Sequence, residues 1–166
     1  MAVTSSGTAV VTLPTDEQIL ITREFDAPRH LVFRALTTPD LVRRWWHANC
    51  GEMTVCEIDL RVGGKWRYMM VTRDGSEVGF HGEYLEIVPE ERIVTTEVYE
   101  GLPEGVSDEE AATVKTLTLT EADGRTTVSI LVQATSKVSR DAIIESGMET
   151  GLQVALDLLE QVAAAH

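Results

Sequence analysis

The last stretch of the chain, residues 147–164, most constrains what the protein can fold into. Apolar side chains recur there every three or four residues, which is the spacing of one face of an α-helix, and charged and amide side chains occupy the other face. A helix of this length extends over about 27 Å. Its wide apolar face needs a broad apolar partner, and most of the preceding chain has the pattern of β-strands. The sequence therefore predicts one long helix held by a curved antiparallel sheet.

Two glycines, Gly147 and Gly151, stand four residues apart at the start of this helix. Because glycine has no side chain, the helix can either approach the sheet closely or leave empty space at these positions. The glycines are therefore compatible with two alternatives: tight packing between helix and sheet, or the wall of a ligand cavity.

The rest of the chain predicts seven strands and two short helices. The segments with strand character are 17–25, 53–60, 66–71, 80–88, 93–99, 114–120 and 126–135. Pro28 and Pro39 each follow a polar residue closely and mark the starts of two short helices after the first strand. Glycine-containing turns join the later strands, which indicates an antiparallel meander. The predicted fold class is α+β, with two layers.

The chain length predicts a single domain. Residues 1–16 are small, polar or β-branched and are expected to form a flexible tail, and residues 17–166 form the domain. Residues 100–112 are expected to be an acidic loop. No internal repeat or domain boundary interrupts the pattern.

Composition limits the partners. The formal net charge of −13 argues against a nucleic-acid partner and disfavours an anionic membrane surface. No apolar run approaches the length that spans a membrane, and no signal peptide is recognisable, so a cytoplasmic location is expected. Formation of a homodimer is compatible with the sequence.

No catalytic motif stands out, and no cofactor or metal is expected. His47, Cys50 and Cys56 do not have the spacing of a zinc site, and both cysteines are expected to be free thiols. His81 is either an acid–base group or a structural histidine. Glu97 is a proton acceptor if it faces a cavity and a solvated surface group if it does not.

A cavity between sheet and helix would draw its lining from the aromatic and apolar strand positions, the paired tryptophans and the helix start. Trp66, Tyr68 and Met70 share one face of a strand. The tryptophan pair either fixes the short helices to the sheet or contributes to the cavity entrance. The candidate lining residues are Trp45, Trp46, Trp66, Tyr68, Met70, His81, Glu97, Tyr99, Met148 and Leu152.

Several short motifs, in this order and spacing, resemble one known superfamily. They are Phe25-Asp26-Ala27-Pro28, Val32-Phe33, Pro39-Asp40-Leu41, Trp45-Trp46, Gly82-Glu83-Tyr84, Pro89-Glu90-Glu91-Arg92 and Gly147-Met148 with Gly151. The chain resembles the START-like (helix-grip, SRPBCC or Bet v 1-like) superfamily over residues 17–163. Within it, the chain is most similar to the branch of activator of heat-shock chaperone ATPase homologue domain proteins. The resemblance implies a seven-stranded antiparallel sheet wrapped on the C-terminal helix, with a hydrophobic cavity between them.

Three functions follow as expectations. The first is binding of a small apolar or aromatic molecule, or a lipid, without catalysis. The alternatives are a cyclase- or aromatase-like enzyme that uses His81 or Glu97, and a domain that acts on a chaperone. Two departures fall near the expected cavity: His47-Ala48 stands where the branch often has Gly-Pro, and Leu152 stands where it often has tryptophan. The resemblance therefore does not identify the ligand.

Overall fold

The computed structural model describes residues 9–100, 105 and 107–165. One antiparallel sheet of eight strands and five helices make up this part of the chain. In chain order the elements are β1 (Val10–Thr12), β2 (Gln18–Phe25), α1 (Arg29–Thr37), α2 (Pro39–Val42), β3 (Gly51–Ile58), β4 (Lys65–Thr72), β5 (Glu77–Val88), β6 (Arg92–Tyr99), α3 (Asp108–Ala111), β7 (Thr113–Ala122), β8 (Arg125–Gln133), α4 (Lys137–Glu145) and α5 (Met148–Ala165).

The strands follow the order β1-β2-β8-β7-β6-β5-β4-β3 across the sheet, and every neighbouring pair is antiparallel. Strands β3 to β8 form the predicted meander, and β2 closes onto β8. The predicted α+β fold, with two short helices after a strand and a long helix at the end, is confirmed.

The strand count differs from the prediction by one. β1 lies inside residues 1–16, which were expected to be a tail, and it pairs Val11 with Ile21 at the edge of the sheet. Ala9, just before it, is buried and exchanges two hydrogen bonds with the Gln153 side chain of α5. Contact with a residue so distant in sequence holds this segment in place. Residues 1–8 of the predicted tail lie outside the described residues.

The two short helices begin where their prolines predict. Pro28 is the N-cap of α1 and Pro39 is the first residue of α2. Val32 and Ala35 are the buried residues of α1. The predicted acidic loop contains one further helix, α3, and residues 101–104 and 106 of that loop lie outside the described residues.

The predicted C-terminal helix is α5, and a separate helix, α4, precedes it. Gly147 separates them with a φ of 81°, a left-handed conformation that glycine adopts without strain. Only the second half of α5 is buried, from Ala155 to Ala163. The first two turns, from Met148 to Val154, are exposed or half-buried.

A buried carboxylate fixes the second half of α5. The backbone N–H of Asp26 donates to Oε2 of Glu160 at 2.8 Å, and Arg23 Nη2 lies 3.3 Å from Oε1 of the same carboxylate. The same guanidinium nitrogen is 3.0 Å from Asp157, and the guanidinium lies 4.7 Å from the centre of the Phe25 ring. These contacts tie α5 to β2 and to the entrance of α1, at one end of the sheet.

Candidate functional site

The concave face of the sheet is the face that packs towards α5. Its identity follows from β4, where Trp66 and Met70 are buried and Arg67, between them in the alternation, is exposed. Cross-strand partners share a face, so strand pairing extends this assignment from strand to strand. Trp66 pairs with Gly82 and Tyr68 pairs with Phe80, which places the even-numbered residues of β5 on the concave face up to Tyr84.

Five aromatic rings, which we call the aromatic cluster, meet on the concave face. They are Trp46, Trp66, Tyr68, Phe80 and Tyr99. The ring centres of Trp46 lie 5.5 Å from Tyr68 and 5.9 Å from Phe80, both edge to face. The distances are 4.9 Å from Trp66 to Tyr68 and 5.2 Å from Phe80 to Tyr99. Offset and edge-to-face contacts of this kind stabilise aromatic pairs and leave ring faces for other apolar groups.

The phenols of this region are held in their neutral form. Burial raises the pKa of Tyr68 well above its ordinary value, and the nearby groups Tyr84, Cys56 and Glu97 act in the same direction. Burial also raises the pKa of Tyr84 to about 12. Both hydroxyls therefore stay protonated at neutral pH and can act as hydrogen-bond donors.

A group of three polar side chains, which we call the polar patch, lies beside the aromatic cluster. It consists of Glu97, Thr113 and Lys115. Tyr84 pairs with Thr95, so Glu97, two residues further along β6, also faces inward, and Glu97 pairs with Thr113 on β7. The Lys115 ammonium lies 3.1 Å from Oε1 and 2.9 Å from Oε2 of Glu97.

The polar patch is only partly shielded from water. The Glu97 side chain is 19% exposed and that of Lys115 is 35% exposed, whereas Thr113 is buried. Two buried polar atoms here, Thr113 Oγ1 and Trp66 Nε1, have no hydrogen-bond partner in the part of the chain that the structure describes. Buried polar atoms are normally paired, so these two are exceptions in this part of the sheet.

The first half of α5 carries two further predicted lining residues, Met148 and Leu152. Met148 and Leu152 are half-buried and pack against the same apolar core as Trp46 and Tyr68. A side chain added at Gly151 would meet no atom within 4 Å, and the same holds at Gly147. Gly147 is exposed and Gly151 is half-buried, so neither is closely packed by other groups. A ligand cavity beside them stays a prediction.

Two predicted lining residues lie elsewhere. His81 pairs with Arg67 on the outer face of the sheet, and its Nδ1 is 3.0 Å from Oε2 of Glu100. The expectation that His81 lines the cavity is therefore corrected. Trp45 is buried, and its Nε1 donates to the carbonyl oxygen of Ala35 at 2.9 Å. This hydrogen bond holds the two short helices together. Of the adjacent pair Trp45 and Trp46, only Trp46 belongs to the aromatic cluster.

The cysteines are separate free thiols. Cys50 is exposed, and Cys56 is buried, with burial raising the pKa of its thiol. His47 Nδ1 accepts a hydrogen bond from the backbone of Asn49. Among the described residues, no group of three or more His, Cys, Asp and Glu side chains is arranged to hold a metal ion.

Sequence reasoning missed Phe80, Thr113 and Lys115. A signal for the last two was present, because Thr113, Lys115, Leu117 and Leu119 alternate along β7, and Leu119 is buried. Because side chains alternate between the two faces of a strand, this pattern places Thr113 and Lys115 on the same face as the buried Leu119.

The sheet wrapped on a C-terminal helix, with two short helices inserted after a strand, defines the START-like, or helix-grip, class of fold. Residues 26–164 match the family described as activator of Hsp90 ATPase homolog 1-like protein, and the chain belongs to this family. No curated protein matches the sequence. Among the described residues, no helix has both the length and the apolar character needed to cross a membrane.

Solved structures share this fold. A crystal structure of a Rhodobacter sphaeroides protein is 26% identical, with a TM-score of 0.86, over 96% of this chain and 100% of that one. A crystal structure of a Chromobacterium violaceum protein is 28% identical, with a TM-score of 0.75, over 90% and 98% of the two chains. A solution structure of an Arthrobacter aurescens protein is similar in fold alone, with 23% identity and a TM-score of 0.82 over 96% and 94%.

Proposed function

We propose that the protein binds a small, mainly apolar or aromatic molecule between the concave face of the sheet and the first half of α5. The observation that carries the proposal is the open space at Gly151. One turn further along the same helix face, Ala155 is buried, as is Leu159 after it. The helix thus packs firmly over its second half and leaves room over its first.

The chemistry around this space fits such a ligand. The aromatic cluster offers ring faces, and Met148 and Leu152 offer flexible apolar contacts from the helix. Ligand sites are typically concave, mostly apolar and supplied with a few oriented polar groups. The polar patch supplies those groups, which would fix the orientation of the bound molecule.

Filling the space with a side chain tests the proposal. Leu152→Trp places an indole beside Met148, where a ligand would lie. We expect this change to lower the affinity for the uncharged fluorescent probe N-phenyl-1-naphthylamine and to cost little stability. Overpacking penalties of about 1–3 kcal/mol apply to filled cores, and Leu152 is only half-buried.

Leu156→Trp is the matched control, because Leu156 is buried one turn further along α5. It should lower the denaturation midpoint strongly. Equal loss of stability in the two variants, or unchanged probe binding by Leu152→Trp, would show that this part of the helix is ordinary core.

The inward position of Glu97 favours a second candidate, an enzyme that moves a proton on the molecule it binds. A carboxylate within reach of a bound substrate can serve as general base. Glu97 lies beside Lys115 on the concave face, whereas His81 lies on the outer face and takes no part in this candidate.

Native mass spectrometry can separate the two candidates. A binding protein would release the same co-purified molecule from wild type and from Glu97→Gln. An enzyme would release different species, because the variant would retain unconverted substrate. Action on a chaperone, the third expectation, stays a prediction.

A further inference from the structure

We infer that the bound molecule carries a neutral hydroxyl group on its aromatic or apolar frame, and that the polar patch of Glu97, Thr113 and Lys115 receives this group. The inference rests on the proposed function and names the ligand class more closely. It excludes plain hydrocarbons and fatty or aromatic carboxylates as the preferred ligands.

The three side chains are close enough to meet one small group. Glu97 and Thr113 are direct partners on neighbouring strands and share the concave face. Their Cβ atoms are therefore about 5 Å apart, and Lys115, two residues along the same strand, is about 7 Å from Thr113. This spacing allows one small polar group to contact more than one of these side chains.

The charges of the patch favour a neutral ligand group. Lys115 contacts both carboxylate oxygens of Glu97, so the pair already balances its own charge. An added carboxylate would be attracted by Lys115 but repelled by Glu97, and an added ammonium the reverse, so each would lose hydration without a net charge attraction. A hydroxyl meets neither repulsion, because it donates one hydrogen bond and accepts others.

The unpaired hydroxyl of Thr113 gives the second argument. Thr113 is 5% exposed, and its Oγ1 has no partner among the residues that the structure describes. A hydrocarbon would leave it unpaired and would also strip water from the partly exposed Glu97. A ligand hydroxyl can satisfy Thr113 and replace a water at Glu97.

The experiment compares three competitors of similar shape, 2-naphthol, 2-methylnaphthalene and 2-naphthoate, for their displacement of N-phenyl-1-naphthylamine. Hydrogen bonds to charged groups contribute about 1.5–3 kcal/mol, or roughly tenfold or more in affinity. We therefore expect 2-naphthol to bind wild type about tenfold more tightly than either of the others.

Two variants of the patch and one control test which residues are responsible. Thr113→Val should reduce the preference for 2-naphthol over 2-methylnaphthalene. Glu97→Gln leaves the charge of Lys115 unbalanced, so 2-naphthoate should become the tightest of the three. Thr116→Val is the matched control, because Thr116 lies next to Lys115 on the opposite face of β7, and it should behave as wild type.

The outcomes separate this inference from the proposed function. Displacement by 2-naphthol and 2-methylnaphthalene at equal concentration would overturn the hydroxyl preference and leave apolar binding in place. Failure of the probe to bind at all would overturn both. If Thr113→Val does not fold, the inference is tested by Glu97→Gln alone, in which 2-naphthoate should become the tightest competitor. A purely structural role of Glu97 would instead weaken the binding of all three competitors alike.

Discussion

Adding one methyl group at Gly151 tests whether the first half of α5 stands clear of the sheet. The new Cβ would meet no atom within 4 Å, so Gly151→Ala removes backbone freedom from the unfolded chain without creating a clash. Alanine is favoured over glycine inside a helix by about 0.5–1 kcal/mol. We expect the variant to be more stable than wild type by that amount. A urea titration followed by circular dichroism, with an unchanged slope, measures the difference.

Gly147→Ala is the matched control, because its Cβ would also meet open space. Gly147 has a φ of 81°, however, and a side chain in this left-handed region costs about 1–2 kcal/mol. The two substitutions should therefore change stability in opposite directions. A loss of about 1 kcal/mol or more in Gly151→Ala would mean that the sheet approaches the helix closely there, and the reasoning for a ligand space would be refuted.

Three further changes test other parts of the structure. Glu160→Gln should lower the free energy of unfolding by about 1.5–3 kcal/mol, measured by urea titration, because Arg23 and the Asp26 N–H both lose a charged acceptor while Asp157 remains beside Arg23; a change below 1 kcal/mol would contradict this. Hydrogen bonds in the β4–β5 turn lower the pKa of Asp74 to about 2, so its stabilising effect is present above the ordinary aspartate range and is lost as the pH falls through about 2. Asp74→Asn should therefore be less stable than wild type at pH 7, and the difference should shrink below about pH 4 and vanish only below about pH 2; a difference independent of pH would oppose this. A thiol reagent should label exposed Cys50 rapidly and buried Cys56 slowly in the native protein, and both without reductant once unfolded; equal native rates would be the contrary result.

The sequence predicted most of the fold because its elements are long and strongly periodic. The period of α5 and the proline starts of α1 and α2 are local signals, and they needed no tertiary context. β1 has three residues and no usable period, and its order depends on the hydrogen bonds between Ala9 and Gln153. Such a contact cannot be inferred from local pattern.

The face of the sheet on which a side chain lies was harder to predict than whether a segment is a strand or a helix, because the face depends on the register between strands. The side of Glu97 follows from its pairing with Thr113 and from the register of β5 and β6, which shifts between Tyr84 and Glu86. His81 could have been assigned to the outer face, since Phe80 and Tyr84 on the other face of β5 are large and aromatic. The alternation of β5 by itself therefore predicts an outward-facing His81.

The proposed function assigns stability and binding to different halves of one helix. Glu160 fixes the second half of α5 to Arg23 and to the entrance of α1, so the helix does not need its first turns to be fully packed. The first half is held at the sheet edge by Gln153 and packs only partly through Met148 and Leu152. None of these anchoring contacts involves a residue of the polar patch. On the proposed function, we expect the leucine at position 152, where the resemblance implies tryptophan in many members of the branch, to change the size of the ligand space more than the stability of the fold.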